Sequence, residues 1–371
     1  MLKDGKIWIG RGGEDCYLLP SMANRHGLIT GATGTGKTIS LKVLAESFSA
    51  IGVPVFLADV KGDLAGMCRA GEVTSALEKR LEFFGLADFP YQEFPTCFWD
   101  LYGQKGHPIR TTVSDFGPIL LSRLMELTDV QQSVLEMLFR IADDKGLLLL
   151  DMKDLRSMIR YASEHRAEYL AEYGNMTPQS LGALQRKVLV LEDNGGGLFF
   201  GEPALDIRDW MKYDLAGRGY INVLDCTELF LHPTMYATFM IWLLNALYET
   251  MPEIGDPEKP RLVFFFDEAH LLFETMPRAI ITKLEQVIRL IRSKGIGVYF
   301  ITQTPADIPD NILAQLSNKI QHALHAYTPK DQKAVRTAAE SFRPNPAFDT
   351  ATAISELRTG EALISDRKSV V

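Results

Sequence analysis

The sequence predicts an α/β fold: a mostly parallel sheet covered by helices, plus a helical insertion. Three observations predict it. Residues 31–38 read Gly-Ala-Thr-Gly-Thr-Gly-Lys-Thr, a complete G-x-x-x-x-G-K-[ST] phosphate loop set between a strand pattern and a helix pattern. Near-continuous apolar runs recur at 53–59, 220–224, 262–266, 298–302, 319–324 and 362–364, as expected of strands buried on both faces. Between 112 and 215 the periodicity becomes that of helices.

The elements follow in order. Residues 1–25 form a small N-terminal β element, with strand patterns at 7–9 and 16–19. His26 to Thr30 reads as a short buried strand entering the phosphate loop. Leu41, Leu44, Ala45 and Phe48 then mark the buried face of a helix that stops at Gly52. The run 53–59 ends in a carboxylate, Asp59, within Asp59-Val60-Lys61-Gly62-Asp63, and a further strand is expected over 96–100. The α/β core thus spans 26–111 and 216–371, interrupted by the helical insertion 112–215. In that insertion Thr128-x-x-Gln131 is a capping box, and Thr177-Pro178 pairs a cap with proline at the first helical position. Its basic residues Lys153, Arg156, Arg160, Arg166, Arg186 and Lys187 read as solvated helix faces or, alternatively, as a surface for nucleic acid. Residues 235–244 read as a helix buried on most sides.

Composition bounds the partners. Of 371 residues 46% are hydrophobic and 23% charged, an ordinary globular balance, and the net charge of −8 excludes a general polyanion binder. Contact with nucleic acid then needs a local basic surface. Four scattered cysteines (Cys16, Cys68, Cys97 and Cys226) read as reduced thiols of a cytoplasmic protein. The charged start Met1-Leu2-Lys3-Asp4-Gly5 is unlike a secretory leader, and the apolar stretch 235–244 is too short to span a bilayer, so no membrane partner is expected.

The chemistry follows from the loop. Gly31, Ala32, Thr33, Gly34, Thr35 and Gly36 turn backbone N–H groups toward a polyphosphate at a helix N-terminus. Lys37 reaches the β- and γ-phosphates, and the Thr38 hydroxyl ligates Mg²⁺. The strand 262–266 ends in Asp267-Glu268-Ala269-His270, which places Asp267 to hold the metal shell and Glu268 to orient and deprotonate water. Gln303, at the tip of the next core strand, either senses the γ-phosphate or holds the lytic water; the plainer alternative is that it caps a turn. Asp59 joins the metal or water network, or bonds nearby backbone N–H groups. Lys61 reads equally as a surface lysine. Arginine fingers often act between subunits, and Arg292 is the first candidate, ahead of Arg289 and Arg336. Arg289 has an alternative partner in Glu285, four residues earlier. The transporter signature Leu-Ser-Gly-Gly-Gln is missing, and Asn318-Lys319-Ile320-Gln321 lacks the carboxylate that would read guanine, so ATP is preferred to GTP.

Residues 22–27 leading into the loop, 58–63, Phe265 to His270, Arg289 to Val298, Thr302-Gln303 and 342–349 together make the chain resemble the HerA-like ATPases of the wider FtsK/HerA group, closest to the bacterial YjgR-like branch. The resemblance implies a RecA-like P-loop NTPase core and a homo-oligomeric ring, a hexamer by family expectation, with ATP between subunits. It also implies translocation along double-stranded DNA, and leaves room for a nuclease or other protein partner. Asp59 matches the family's acid after the second core strand. Arg292 matches its arginine before the glycine preceding the sensor strand. Archaeal HerA proteins carry an N-terminal β-barrel, which the few residues before Gly31 are not expected to form; the chain also ends soon after the strand 362–364. A Mg²⁺-dependent ATP-hydrolysing motor is the first functional expectation. The alternative is a non-motor ATP-binding module that regulates a protein partner.

Overall fold

The computed structural model of the chain describes residues 1–3, 5–86, 89–255, 257–274, 278–324 and 327–365. It divides into two compact units, one of residues 1–97, 207–227 and 244–371, the other of 98–206 and 228–243.

In the first unit, β1 (Leu2–Lys3), β2 (Lys6–Arg11) and β3 (Asp15–Leu18) make an antiparallel sheet. It lies against the helix Lys37–Ala50, where the Met1 ammonium donates to Ser47 Oγ at 2.5 Å. The main sheet begins with β4 (Gly27–Thr30) and β5 (Val55–Asp59). The chain then passes through β6 (Thr96–Asp100) and β7 (His107–Pro108), which pair in parallel at Trp99 and Asp100. It returns through β8 (Ile221–Asp225), β9 (Leu262–Phe266), β10 (Ile296–Thr302), β11 (Asn318–His322) and β12 (Ala362–Ser365). Among strands lying wholly in this unit the order is β12-β11-β4-β10-β9-β5-β8.

Every neighbouring pair in that series is parallel except β11–β12. The expected run 362–364 is therefore a strand, but an antiparallel one. The reason is local. Gly360 N donates to Thr35 O at 2.9 Å, so the chain re-enters the sheet at the end where β11 leaves it and must run the other way.

The uninterrupted apolar sequence of β9 is explained by its two covered faces. On one face Phe265 packs with Phe48 of the helix Lys37–Ala50 and with Tyr299. On the other, Phe264 meets Phe56 and Trp210, and Phe266 stacks on Phe300 at 5.7 Å. All these rings are buried, and each contributes about 2–3 kcal/mol relative to exposure.

The second unit is helical. Thr128 Oγ1 accepts from Gln131 N, while Gln131 Oε1 accepts from Thr128 N, the reciprocal cap expected for the helix Asp129–Asp144. The helix Pro178–Leu191 starts on its proline, with Thr177 Oγ1 accepting from Ser180 N at 3.2 Å. Val134, Leu135 and Leu138 of the first helix, Leu155 and Ile159 of Met152–Glu164, and Leu181, Leu184 and Val188 of the third are buried, and these three helices pack on one another. Of the basic residues singled out above, Lys153, Arg160, Arg166 and Arg186 are exposed and Arg156 is paired with Glu192 at 2.9 Å. The helix Pro233–Thr250 is buried from 235 to 244, and among the described residues no helix is long and apolar enough to cross a membrane.

Candidate functional site

Four adjacent strands of the first unit, in the order β4-β10-β9-β5, deliver chemistry at their carboxyl ends. β4 runs into the phosphate loop, β10 into Gln303, β9 into Asp267 and Glu268, and β5 ends on Asp59. Parallel strands share one carboxyl edge, so residues far apart in sequence converge there.

The loop is held open by its glycines. Gly31 has φ +151°, and a Cβ there would lie 2.5 Å from His322 Cβ. Gly34, at the exposed crest, has φ +79° and nothing within 4 Å of where a Cβ would stand. Gly31 N donates to the Gln303 carbonyl at 3.2 Å and Ala32 N to that of Ala323 at 2.9 Å, which anchors the loop to both flanking strands. The helix Lys37–Ala50 starts directly behind it, with Thr38 half-buried in its first turn.

Lys37 is buried, and its Nζ donates to the carbonyls of Gly31 (2.5 Å) and Ala32 (3.0 Å). Burial lowers its pKa from the ordinary value; the charge of Glu268 opposes that shift, and Lys61 adds to it. Asp267 is buried too, and desolvation together with the neighbouring Glu268 raises its carboxyl to about 6. Its Oδ1 accepts from Glu268 N at 3.0 Å. Glu268 has φ +48°, a left-handed conformation that costs a non-glycine residue about 1 kcal/mol or more. Its Oε1 is 2.5 Å from Lys61 Nζ, His270 Nδ1 is 3.5 Å from its Oε2, and that second oxygen is buried without a hydrogen-bond partner.

Asp59 bonds backbone: Oδ1 accepts from Gly62 N at 2.7 Å and Oδ2 from Leu64 N at 3.0 Å, closing the turn that carries Lys61. The side chain of Gln303, which directly follows the paired residue Thr302 of β10, is exposed.

These groups fit Mg²⁺-bound nucleoside triphosphate. The crest of the loop is open, a buried ammonium rests on the loop's own carbonyls, and a buried carboxylate oxygen lacks a donor. Among the described residues no cluster of three or more His, Cys, Asp or Glu side chains forms a metal cage. Mg²⁺ needs none, since it keeps waters and phosphate oxygens and takes one or two protein ligands. Thr38 and Asp267 are the residues that would hold it.

The arginines lie elsewhere. Arg292 and Arg289 line a pocket of about 390 Å³ with His26, Ser317, Lys319 and Arg343. His26 precedes β4, Ser317 precedes β11 and Arg292 precedes β10, so this pocket sits at the amino ends of the strands, opposite the phosphate loop. Glu285 does not pair with Arg289 as expected: its Oε2 accepts from Asn311 Nδ2 at 3.2 Å. Arg336 is exposed on the helix Pro329–Glu340.

One neighbour of the site escaped the sequence reading, and another was named there only as a surface lysine. His322, buried on β11, packs against Gly31 and Gly36, with Nε2 2.9 Å from Ser40 Oγ and Nδ1 3.0 Å from the Glu361 carbonyl. Its only sequence signal is polarity in a buried strand. Lys61 is the other, and nothing in its local pattern points to Glu268.

The family described as Helicase HerA-like C-terminal matches residues 6–369. The DNA double-strand break repair helicase HerA of Sulfolobus acidocaldarius is 22% identical over 348 residues, which are 92% of this chain and 62% of that protein. The chain therefore spans less than two thirds of that relative's length. Among solved structures, VirB4 of Thermoanaerobacter pseudethanolicus superposes with a TM-score of 0.63 at 16% identity, over 100% of this chain and 96% of its own. The plasmid coupling protein TrwB, solved with ADP and Mg²⁺, gives 0.61 at 15% identity over 94% and 84%. This likeness establishes the fold as a RecA-like P-loop NTPase core.

Proposed function

Since the chain belongs to the HerA-like helicase family, we propose that it is a Mg²⁺-dependent ATP hydrolase that works as a ring on duplex DNA. The observation that carries this is the meeting of Lys37, Asp267 and Glu268 at one sheet edge, with a buried Glu268 oxygen lacking a donor. The Mg²⁺ of TrwB and its adenine nucleotide support the choice of cofactor.

The geometry supports the following roles. Lys37 exchanges the carbonyls of Gly31 and Ala32 for the β- and γ-phosphates. Thr38 and Asp267 would hold Mg²⁺, which when bound would supply positive charge to stabilise the phosphates. Glu268 takes a proton from water as the water oxygen bonds the γ-phosphorus. The bond from that phosphorus to the β–γ bridging oxygen breaks, leaving ADP and phosphate. Gln303 orients the water from the neighbouring strand tip. Arg292, which precedes β10 at the strand ends opposite the loop, would act on the nucleotide of a second copy of the chain.

Turnover of ATP with and without duplex DNA tests the reading. Glu268→Gln is expected to lower turnover at least about a hundredfold while ATP still binds. DNA stimulation that fades steeply with added salt supports the motor. No turnover under any condition, with tight ATP binding and no DNA effect, overturns it in favour of a regulatory module acting on a protein partner.

A further inference from the structure

Lys61 is an exposed lysine, 45% accessible, whose ammonium nevertheless reaches a carboxylate that is only 10% accessible, Glu268, at 2.5 Å. Its position is built rather than incidental. Asp59 spends both carboxylate oxygens on the amides of Gly62 and Leu64, and Gly62 takes φ +75°, so the turn presents Lys61 over the acid pair. Burial alone would lower the ammonium's pKa; the hydrogen bond it donates to Glu268 and the charges of Glu268, Asp267 and Asp63 outweigh it and hold it above the ordinary value.

The pair neutralises the base that hydrolysis needs. The ammonium occupies one oxygen of that carboxylate, which must be released before it can bond the attacking water. Lysine is a compact point charge on a flexible stem, and its half-exposed stem lets the head swing without further desolvation. A triphosphate seated on the loop between Lys37 and Glu268 brings a stronger anion into its reach.

We propose that Lys61 is a second γ-phosphate cation beside Lys37: it waits on Glu268 and transfers to the terminal phosphate when ATP binds, which frees the Glu268 carboxylate for water. Asp59 is then a positioning residue for that transfer. The arrangement makes base release depend on a third phosphate, which ADP lacks. The proposal rests on the nucleotide reading above and deepens it.

The test compares, with Mg²⁺ present, the affinities of ADP and of an ATP analogue with a non-hydrolysable β–γ bond for the parent protein, Lys61→Met and Lys61→Arg. The parent should prefer the triphosphate. Lys61→Met should narrow that preference about tenfold and leave ADP affinity within about twofold, with Lys61→Arg recovering part of it. Turnover by Lys61→Met should fall. An unchanged triphosphate preference overturns the proposal, as does equal weakening of both nucleotides, or turnover faster than the parent's, which would make Lys61 a restraint alone. If the parent binds neither nucleotide, the functional reading itself fails, a result distinct from any of these.

Discussion

The Lys37 ammonium lies among carbonyl oxygens of its own loop, within electrostatic reach of Glu268 and Asp267. It is a buried cation already positioned for a polyanion. Lys37→Ala is expected to weaken ATP binding on the order of a hundredfold, by calorimetric titration, since a charge-assisted contact to phosphate is lost. A second residue-scale expectation concerns acid. His26 donates from Nε2 to the Ile288 carbonyl and accepts from Val298 N at Nδ1, so it is held neutral, and burial pushes its pKa to about 4. Burial does the same to His322. In the unfolded chain both titrate near 6.5, so the unfolded state binds more protons between pH 6.5 and 4, and stability falls through that window. By pH 5 the loss is about 2 kcal/mol per histidine. Asp267 acts with the opposite sign: its carboxyl is raised to about 6 from 3.8, so lowering the pH from 7 to 5 restores about 1 kcal/mol. Denaturant unfolding without nucleotide or Mg²⁺ should show lower stability at pH 5 than at pH 7, and a steeper drop in Asp267→Asn.

At the scale of elements, caps and strand ends carry the information. The reciprocal bonds of Thr128 and Gln131 start the helix Asp129–Asp144, and Thr128→Ala should cost about 1 kcal/mol in unfolding free energy with ATP binding unchanged. The phosphate loop, the strand pattern of β9 and the tip of β10 were legible because each is local: a glycine spacing, an apolar run, a polar residue where it ends. β12 was legible as a strand but not in its direction, which depends on where Gly360 meets Thr35. Lys61 read as a surface lysine for a similar reason. Its exposure is real, and its partner lies four strands further along the chain, after β9, which neighbours β5 only in the folded sheet.

For the whole molecule the basic pocket around Arg289, Arg292 and Arg343 sits at the far end of the strands from the phosphate loop. A single chain cannot bring both ends together, so a trans-acting Arg292 requires assembly. Glu268→Gln with ATP and Mg²⁺ should form oligomers by mass measurement in solution, and Arg292→Ala should lose turnover by ~10³-fold or more while still binding ATP. A strictly monomeric result removes the trans role.

The sequence by itself determined the phosphate loop, the acid pair, the buried parallel strands and the helix caps, because glycine spacing, periodicity and capping act within a few residues. Only the tertiary structure decided that Asp59 braces a turn, that Lys61 holds Glu268, and that His322 backs the loop. Those contacts depend on strand order and on the shared carboxyl edge of parallel strands, which no local pattern encodes.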